Sequence, residues 1–246
     1  MKLELEIIDE YLIKRPWEKI IKIINHENIL NIFNEKGIVG DEVVDKLMTP
    51  LLLSVGLNPS ITLEEFYEFT KIHFHFFTMD INNLHGPKII DVSHKSFPKL
   101  SLYKAIRMSS AIPFLFKPVC MDNSCFIDPG FIINFPLNYC LEDTKCDPSE
   151  IMAFKNHFSR QDSVNIINDN SSIFSFLSQL LHSFEKQMST TSQQVSIKNT
   201  ITNKSIYNNY INWPKVASNS NIRKEVIDYG IKLAEEFIKA SDLKTP

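Results

Sequence analysis

Apolar and polar residues alternate along this chain in two rhythms. Over residues 1–34, Leu12, Trp17, Ile20, Ile21 and Ile24 recur at helical spacing, which predicts helix with a start or kink at Pro16 and Trp17. A turn is expected at Gly37–Gly40. Asp41 then stands where an N-cap would open the helix DEVVDKLM, which Pro50 bends or ends. Thr62 and Glu65 have capping-box spacing ahead of Phe66 and Phe69, so another helix should start there. From Ile72 to Asp80 the pattern alternates and then turns apolar, as in a strand entering a core. A second strand is expected at Lys88–Val92 after the Gly86-Pro87 turn. Ser101 can cap a helix over LYKAIRMSSA, and Pro113 stops it.

Further on, Phe114–Val119 reads as extended, Met121–Ser124 as a polar turn, and Cys125–Asp128 and Glu150–Phe154 as short strands. Residues 157–171 are polar and predict a loop. An amphipathic helix is expected over 173–188, with Phe174, Phe176, Leu177, Leu180, Leu181 and Phe184. The Ser/Thr/Gln-rich stretch 189–205 should be exposed and mobile. A last helix over Ile222–Ala240 puts Ile222, Val226, Tyr229, Leu233 and Phe237 on one face. Helices alternating with short apolar strands predict α/β layering with a mostly parallel sheet.

Composition removes several function classes. The 246 residues are 43% hydrophobic and 22% charged, enough for one large domain with an ordinary core. A net charge of -3 gives no whole-chain drive toward nucleic acid. Only six glycines occur, and none of the spacings is GxGxxG or GxxxxGK[ST], so a nucleotide site of the usual kinds is disfavoured. The N-terminus is acidic and no apolar run nears the roughly 20 residues of a membrane span. A cytoplasmic chain, soluble or peripheral to a membrane and without a transmembrane segment, is expected. Cys120, Cys125, Cys140 and Cys146 raise the question of zinc, but neither pair has the two-residue gap of a zinc ribbon. Free thiols are the expectation, with no metal. His73 and His75 share a strand face without an acidic or cysteine partner at matching local spacing, so they are expected to be packing or surface residues.

Two blocks carry the candidate chemistry. The first is Ala105-Ile-Arg-Met-Ser-Ser-Ala-Ile-Pro113-Phe-Leu-Phe-Lys-Pro118-Val119. The second is Phe126-Ile127-Asp128-Pro129-Gly130-Phe-Ile-Ile-Asn134-Phe-Pro136. In order and separation they resemble the patatin-like phospholipase family, with its A-x-R-x-S-x-A-x-P-x-x-F-x-P block followed by D-G-[GA]-x-x-x-N-x-P. The likeness covers roughly residues 11–155, including the strand ending Thr78-Met79-Asp80, and more weakly 220–240.

The resemblance implies an incomplete patatin-like three-layer fold, α/β, with a mostly parallel central sheet flanked by helices. Residues 1–160 would be the C-terminal portion of that domain and 161–246 a helical extension packed on it. It implies lipid or another acyl ester as substrate, no cofactor, and a Ser–Asp dyad in which Asp128 is the general base. The serine would sit on a G-x-S-x-G elbow and a glycine-rich loop would hold the oxyanion. Neither motif occurs in these 246 residues. Leu53-Ser54-Val55-Gly56 offers only S-x-G, in the wrong place in the family order. The chain is therefore expected to be an N-terminally truncated member, inactive when isolated. The alternatives are a non-catalytic remnant that binds lipid or protein, and one half of a split enzyme completed by a partner protein. Pro129 stands where the family has Gly, and it restrains the backbone on both sides of itself. Arg107, Ser109 and Ser110 also match family positions, and their expected role is to shape the turn into Pro113.

Overall fold

The computed structural model describes residues 4–20, 34–133, 135–156, 166–173, 175–177, 179–181, 183, 197–205, 207 and 212–241. In chain order the elements are α1 (Leu5–Lys14), α2 (Trp17–Ile20), β1 (Gly37–Val39), α3 (Glu42–Ser54), α4 (Leu63–Thr70), β2 (His75–Asp80), β3 (Lys88–Ser93), α5 (Leu102–Ser109), β4 (Phe114–Phe116), β5 (Val119–Met121), β6 (Ser124–Ile127), α6 (Leu137–Thr144), β7 (Met152–Asn156), β8 (Asn199–Asn203), α7 (Trp213–Ser218) and α8 (Ser220–Ala240). They fall into two compact units. One holds Met1–Glu4 and Glu18–Gly130, the other Leu5–Trp17 and Phe131–Pro246.

The first unit is built on a four-stranded sheet in the order β3-β2-β6-β5, with β1 and β4 as a separate parallel pair. All three pairings in the larger sheet are antiparallel. Short connections dictate this. Asp122 and Asn123, both with positive φ, form the two-residue turn between β5 and β6, and a loop of only seven residues joins β2 to β3. The α/β class holds, with parallel pieces at β1–β4 and β7–β8. The expectation of a mostly parallel sheet fails for this four-stranded part, where hairpins replace crossovers.

One helix seals the sheet. Ser101 Oγ accepts the Lys104 N–H and caps α5, which then buries Leu102, Tyr103, Ala105 and Met108. These pack with Val92, Val119 and Phe126 from three strands and with Leu52, Ile61 and Leu63. Ala105, Met108 and Val92 are fully enclosed. The capping box at Thr62 and Glu65 forms as expected and opens α4.

Two local expectations fail for identifiable reasons, and the ending alternative for Pro50 is removed. Gly37–Val39 is a strand, not a turn, because it pairs with Phe114–Phe116; a Cβ on Gly37 would stand 2.4 Å from the Phe116 and Lys117 backbone. Asp41 precedes α3 but makes no side-chain cap; Arg107 takes its carboxylate in an ion pair instead. Pro50 does not end α3, which continues to Ser54. Val43, Val44 and Leu52 on either side of it are buried, and the Thr49 and Tyr103 hydroxyls bond at 2.8 Å, so packing outweighs the local cost.

In the second unit β7 and β8 pair in parallel over a small core of Leu137, Ala153 and Ile197. Residues 197–203 are therefore not the mobile stretch that composition suggested; pairing with β7 fixes them. Arg223 of α8 donates to the carbonyls of Ile13, Arg15, Val216 and Ala217, satisfying the C-terminal ends of α1 and α7. Trp17 is buried, and its Nε1–H bonds the Leu12 carbonyl at 2.7 Å. Residues 173, 175–177, 179–181 and 183 are helical, as their pattern predicts. The expected helical residues 21–33 and the loop over 157–165 lie outside the described residues.

Candidate active site

Asp128 stands at the end of β6, where the chain leaves the sheet for the turn Pro129–Phe131. Its backbone is held from two sides. The Asp128 N–H donates to the Ala111 carbonyl at 3.0 Å, in the segment that follows α5. The preceding carbonyl, that of Ile127, lies 3.0 Å from Thr78 Oγ1, and this hydroxyl is also 2.8 Å from the Met108 carbonyl. Thr78 is fully buried on β2. It thus ties the end of α5 to the end of β6 and fixes the peptide from which the Asp128 side chain projects. The two sequence blocks, 105–119 and 126–136, meet here.

The side chain is held more lightly. Asp128 Oδ1 accepts the Gly130 N–H at 2.7 Å. Oδ2 has no partner among the described residues. Burial dominates and raises the carboxyl to about pKa 6, partly opposed by the Gly130 bond. Such a carboxylate is ionised at neutral pH yet basic enough to take a proton. Pro129 takes a helix-start position. It opens a short turn whose first N–H would have no helical partner anyway, and it is itself buried. The residue that replaces the family glycine therefore does not displace the carboxylate from the Gly130 N–H.

The other candidates scatter. Ser54 sits exposed in the last turn of α3 with Oγ donating to the Leu51 carbonyl at 2.7 Å, and no strand-to-helix elbow surrounds it. Arg107 pairs with Asp41, ahead of α3, and Ser110 Oγ donates to the Ile106 carbonyl at the end of α5. Asp80 accepts from the N–H groups of Asn82 and Cys125 and secures the loop after β2. His75 does find an acidic partner: Asp91, on the neighbouring β3, lies 2.9 Å from its Nδ1. Local spacing could not reveal a contact made across strands. All four cysteines are free. Cys120 and Cys125 face each other across β5–β6 with their sulfurs 3.0 Å apart, and burial and Cys120 together push the Cys125 thiol up to about 12. A cleft of about 370 Å³ opens elsewhere in the unit, beside β1, lined by Glu35, Asp41, Glu42 and Lys117 among others; it does not include Asp128.

Comparison with known proteins gives the family. The model of the patatin-like phospholipase family matches residues 6–141, which include both blocks and Asp128. The chain belongs to the patatin-like phospholipase family. A protein described as a probable lipid hydrolase, 463L of Invertebrate iridescent virus 6, is 25% identical over 138 residues, covering 52% of this chain and 46% of that protein. The chain spans about half the length of that relative. Thr78, not singled out from the sequence, is brought by the structure against the Ile127 carbonyl, next to Asp128. Its only sequence signal was the family-like Thr78-Met79-Asp80 strand ending.

Proposed function

We propose that this patatin-like chain contributes the general-base half of a lipid acyl hydrolase. The observation that carries the reading is the Asp128 carboxylate: desolvated, titrating near 6, with Oδ1 held by Gly130 and Oδ2 unpartnered among the described residues. A base with a pKa near the working pH can take a proton from a serine hydroxyl directly. The serine oxygen then attacks the acyl carbonyl. Asp128 returns the proton to the departing alcohol oxygen, and water hydrolyses the acyl-serine with Asp128 again as base. The serine and the oxyanion donors must come from outside these 246 residues, in the same polypeptide or in a partner protein. No nucleic acid, metal or cofactor enters this chemistry. The compartment that suits the reading is the cytoplasm, at a membrane surface.

The test is labelling with a fluorophosphonate and an ester-release assay. The chain alone should take no label. Supplied with a family segment bearing the nucleophilic serine, it should release acyl groups, and Asp128→Asn should lower that rate by roughly 10²–10⁴-fold. A labelled serine within this chain would overturn the proposal. The second reading is a lipid- or protein-binding remnant of the fold, favoured by the absence of G-x-S-x-G from these residues. It predicts that ester release never appears while binding persists.

A further inference from the structure

Two cysteines face each other at the edge of the four-stranded sheet, and the acyl-hydrolase chemistry uses neither. Asp122 and Asn123 make the two-residue turn of the β5–β6 hairpin. Such a turn is closed by a hydrogen-bonded pair, here Met121 and Ser124. The next pair outward, Cys120 and Cys125, is therefore a non-hydrogen-bonded one. The backbone of Cys125 agrees. Its N–H donates to Asp80 Oδ1 at 3.1 Å and its carbonyl accepts the Ile81 N–H at 3.0 Å, so both turn toward β2 and away from β5. At a pair of this kind the Cα atoms lie roughly 4.5 Å apart, inside the span that a disulfide bridges. The two sulfurs stand 3.0 Å apart. A formed bond is about 2.05 Å long, so closure needs roughly 1 Å of side-chain movement.

The two thiols differ in a way that orders the chemistry. Cys120, on the edge strand, is exposed and open to an oxidant. Cys125 is buried, and burial first, then Cys120, pushes its thiol up to about 12, which keeps it protonated and inert on its own. An accessible thiol beside a protected one is what an attacking and a resolving cysteine require. Val119 and Phe126, the adjoining pair, are buried in the core under α5 and hold the hairpin in register. The other two cysteines, Cys140 and Cys146, belong to the second unit.

We infer that Cys120 and Cys125 form an oxidation site for hydroperoxides, closing reversibly to a cross-strand disulfide that ties β5 to the strand leading to Asp128. The Cys120 sulfur attacks one peroxide oxygen. An S–O bond forms, the O–O bond breaks, and the other oxygen leaves with the thiol proton. The Cys125 sulfur then attacks the Cys120 sulfur. The S–S bond forms, the S–O bond breaks, and hydroxide departs as water with the Cys125 proton. Two thiols thus lose two electrons and two protons, and one hydroperoxide becomes an alcohol (water, for hydrogen peroxide) and a water. A dithiol reverses the bond by exchange. Neither step involves the Asp128 carboxylate, so the outcome does not depend on the acyl-hydrolase reading.

The experiment treats the full chain, carrying Cys140→Ser/Cys146→Ser, with hydrogen peroxide or cumene hydroperoxide and counts thiols in denaturant. Cleavage before Asp122 and Asp128 puts the two cysteines on separate peptides. Both thiols should disappear together, the two peptides should come out joined, and dithiothreitol should restore both thiols. Faster closure with cumene hydroperoxide at equal concentration identifies a lipid-like hydroperoxide as the source, and faster closure with hydrogen peroxide a dissolved one. Adding Cys125→Ser should leave Cys120 as a sulfenic acid that dimedone traps. Adding Cys120→Ser should slow loss of the Cys125 thiol by at least about tenfold, with circular dichroism checking that each protein is folded. A Cys120 sulfenic acid that accumulates while Cys125 is present overturns the inference. So does a cross-link joining Cys120 of two chains, or a Cys125 thiol lost as fast without Cys120 as with it. The first two outcomes need no substitution at the pair, so the inference stays testable even if serine at the buried position unfolds the chain.

Discussion

Asp80 and Asp128 stand on adjacent paired strands, each where a strand gives way to a turn, and their carboxylates are treated in opposite ways. At Asp80 burial pushes the pKa up, but the Ser124 hydroxyl and the N–H groups of Asn82 and Cys125 outweigh it and hold the carboxyl below its ordinary value. At Asp128 burial acts against one N–H among the described residues, that of Gly130, and wins. The number of donors separates the roles. A carboxylate saturated with hydrogen bonds is a strut, because its charge is already spent on the fold. One with an oxygen unpartnered among the described residues, in a desolvated place, keeps its basicity for something else.

The contrast can be attacked first at the strut. Asp80→Ala leaves the Cys125 N–H without its acceptor inside the protein and frees the loop after β2. It should cost about 3 kcal/mol in urea unfolding, whereas Asp80→Asn, which keeps an acceptor, should cost clearly less. Equal costs for the two would mean that charge, not hydrogen bonding, makes Asp80 structural.

Asp128→Asn should move stability the other way. Between the ordinary value of 3.8 and the folded value of about 6, the folded chain keeps a proton that the unfolded chain has lost. Stability therefore falls as pH rises through that window, by at most about 3 kcal/mol. Asparagine retains the Oδ1 acceptor for Gly130 and carries no charge. The variant should exceed wild type in stability above about pH 6, and the difference should close below about pH 4. A flat difference across pH would remove desolvation as the cause.

The smallest expected effect is at Thr78. Thr78→Val keeps shape and burial but strips the donor shared by the Met108 and Ile127 carbonyls. It should cost about 1 to 2 kcal/mol, read from the same unfolding curves. If Thr78 also positions Asp128, ester release in the reconstituted assay should fall beyond what the stability loss explains.

Much of this was legible in the residues. The capping box at Thr62, the Ser101 cap, the strands at β2 and β3, and the long last helix are local events, decided by side chains within a few positions of one another. Sequence also put Asp128 at a strand end inside two family-like blocks. The errors came where a distant partner decided the outcome. Gly37–Val39 is a strand because β4 accepts it, Asp41 is an ion-pair partner because α5 presents Arg107, and residues 199–203 are ordered because β7 pairs with them. The antiparallel sheet belongs with these, since pairing direction follows how far apart in sequence the neighbours lie, not the pattern within one strand.

By itself, then, the sequence determined the family, the residue types at the site, the lack of a serine elbow within these residues, and most of the local helix signals. Tertiary structure alone decided what Asp128 is. Its desolvation and the backbone clamp from Ala111 and Thr78 involve groups brought together across the sheet. A carboxylate's pKa is set by the water it loses and the donors it meets, and neither is a property of neighbours along the chain.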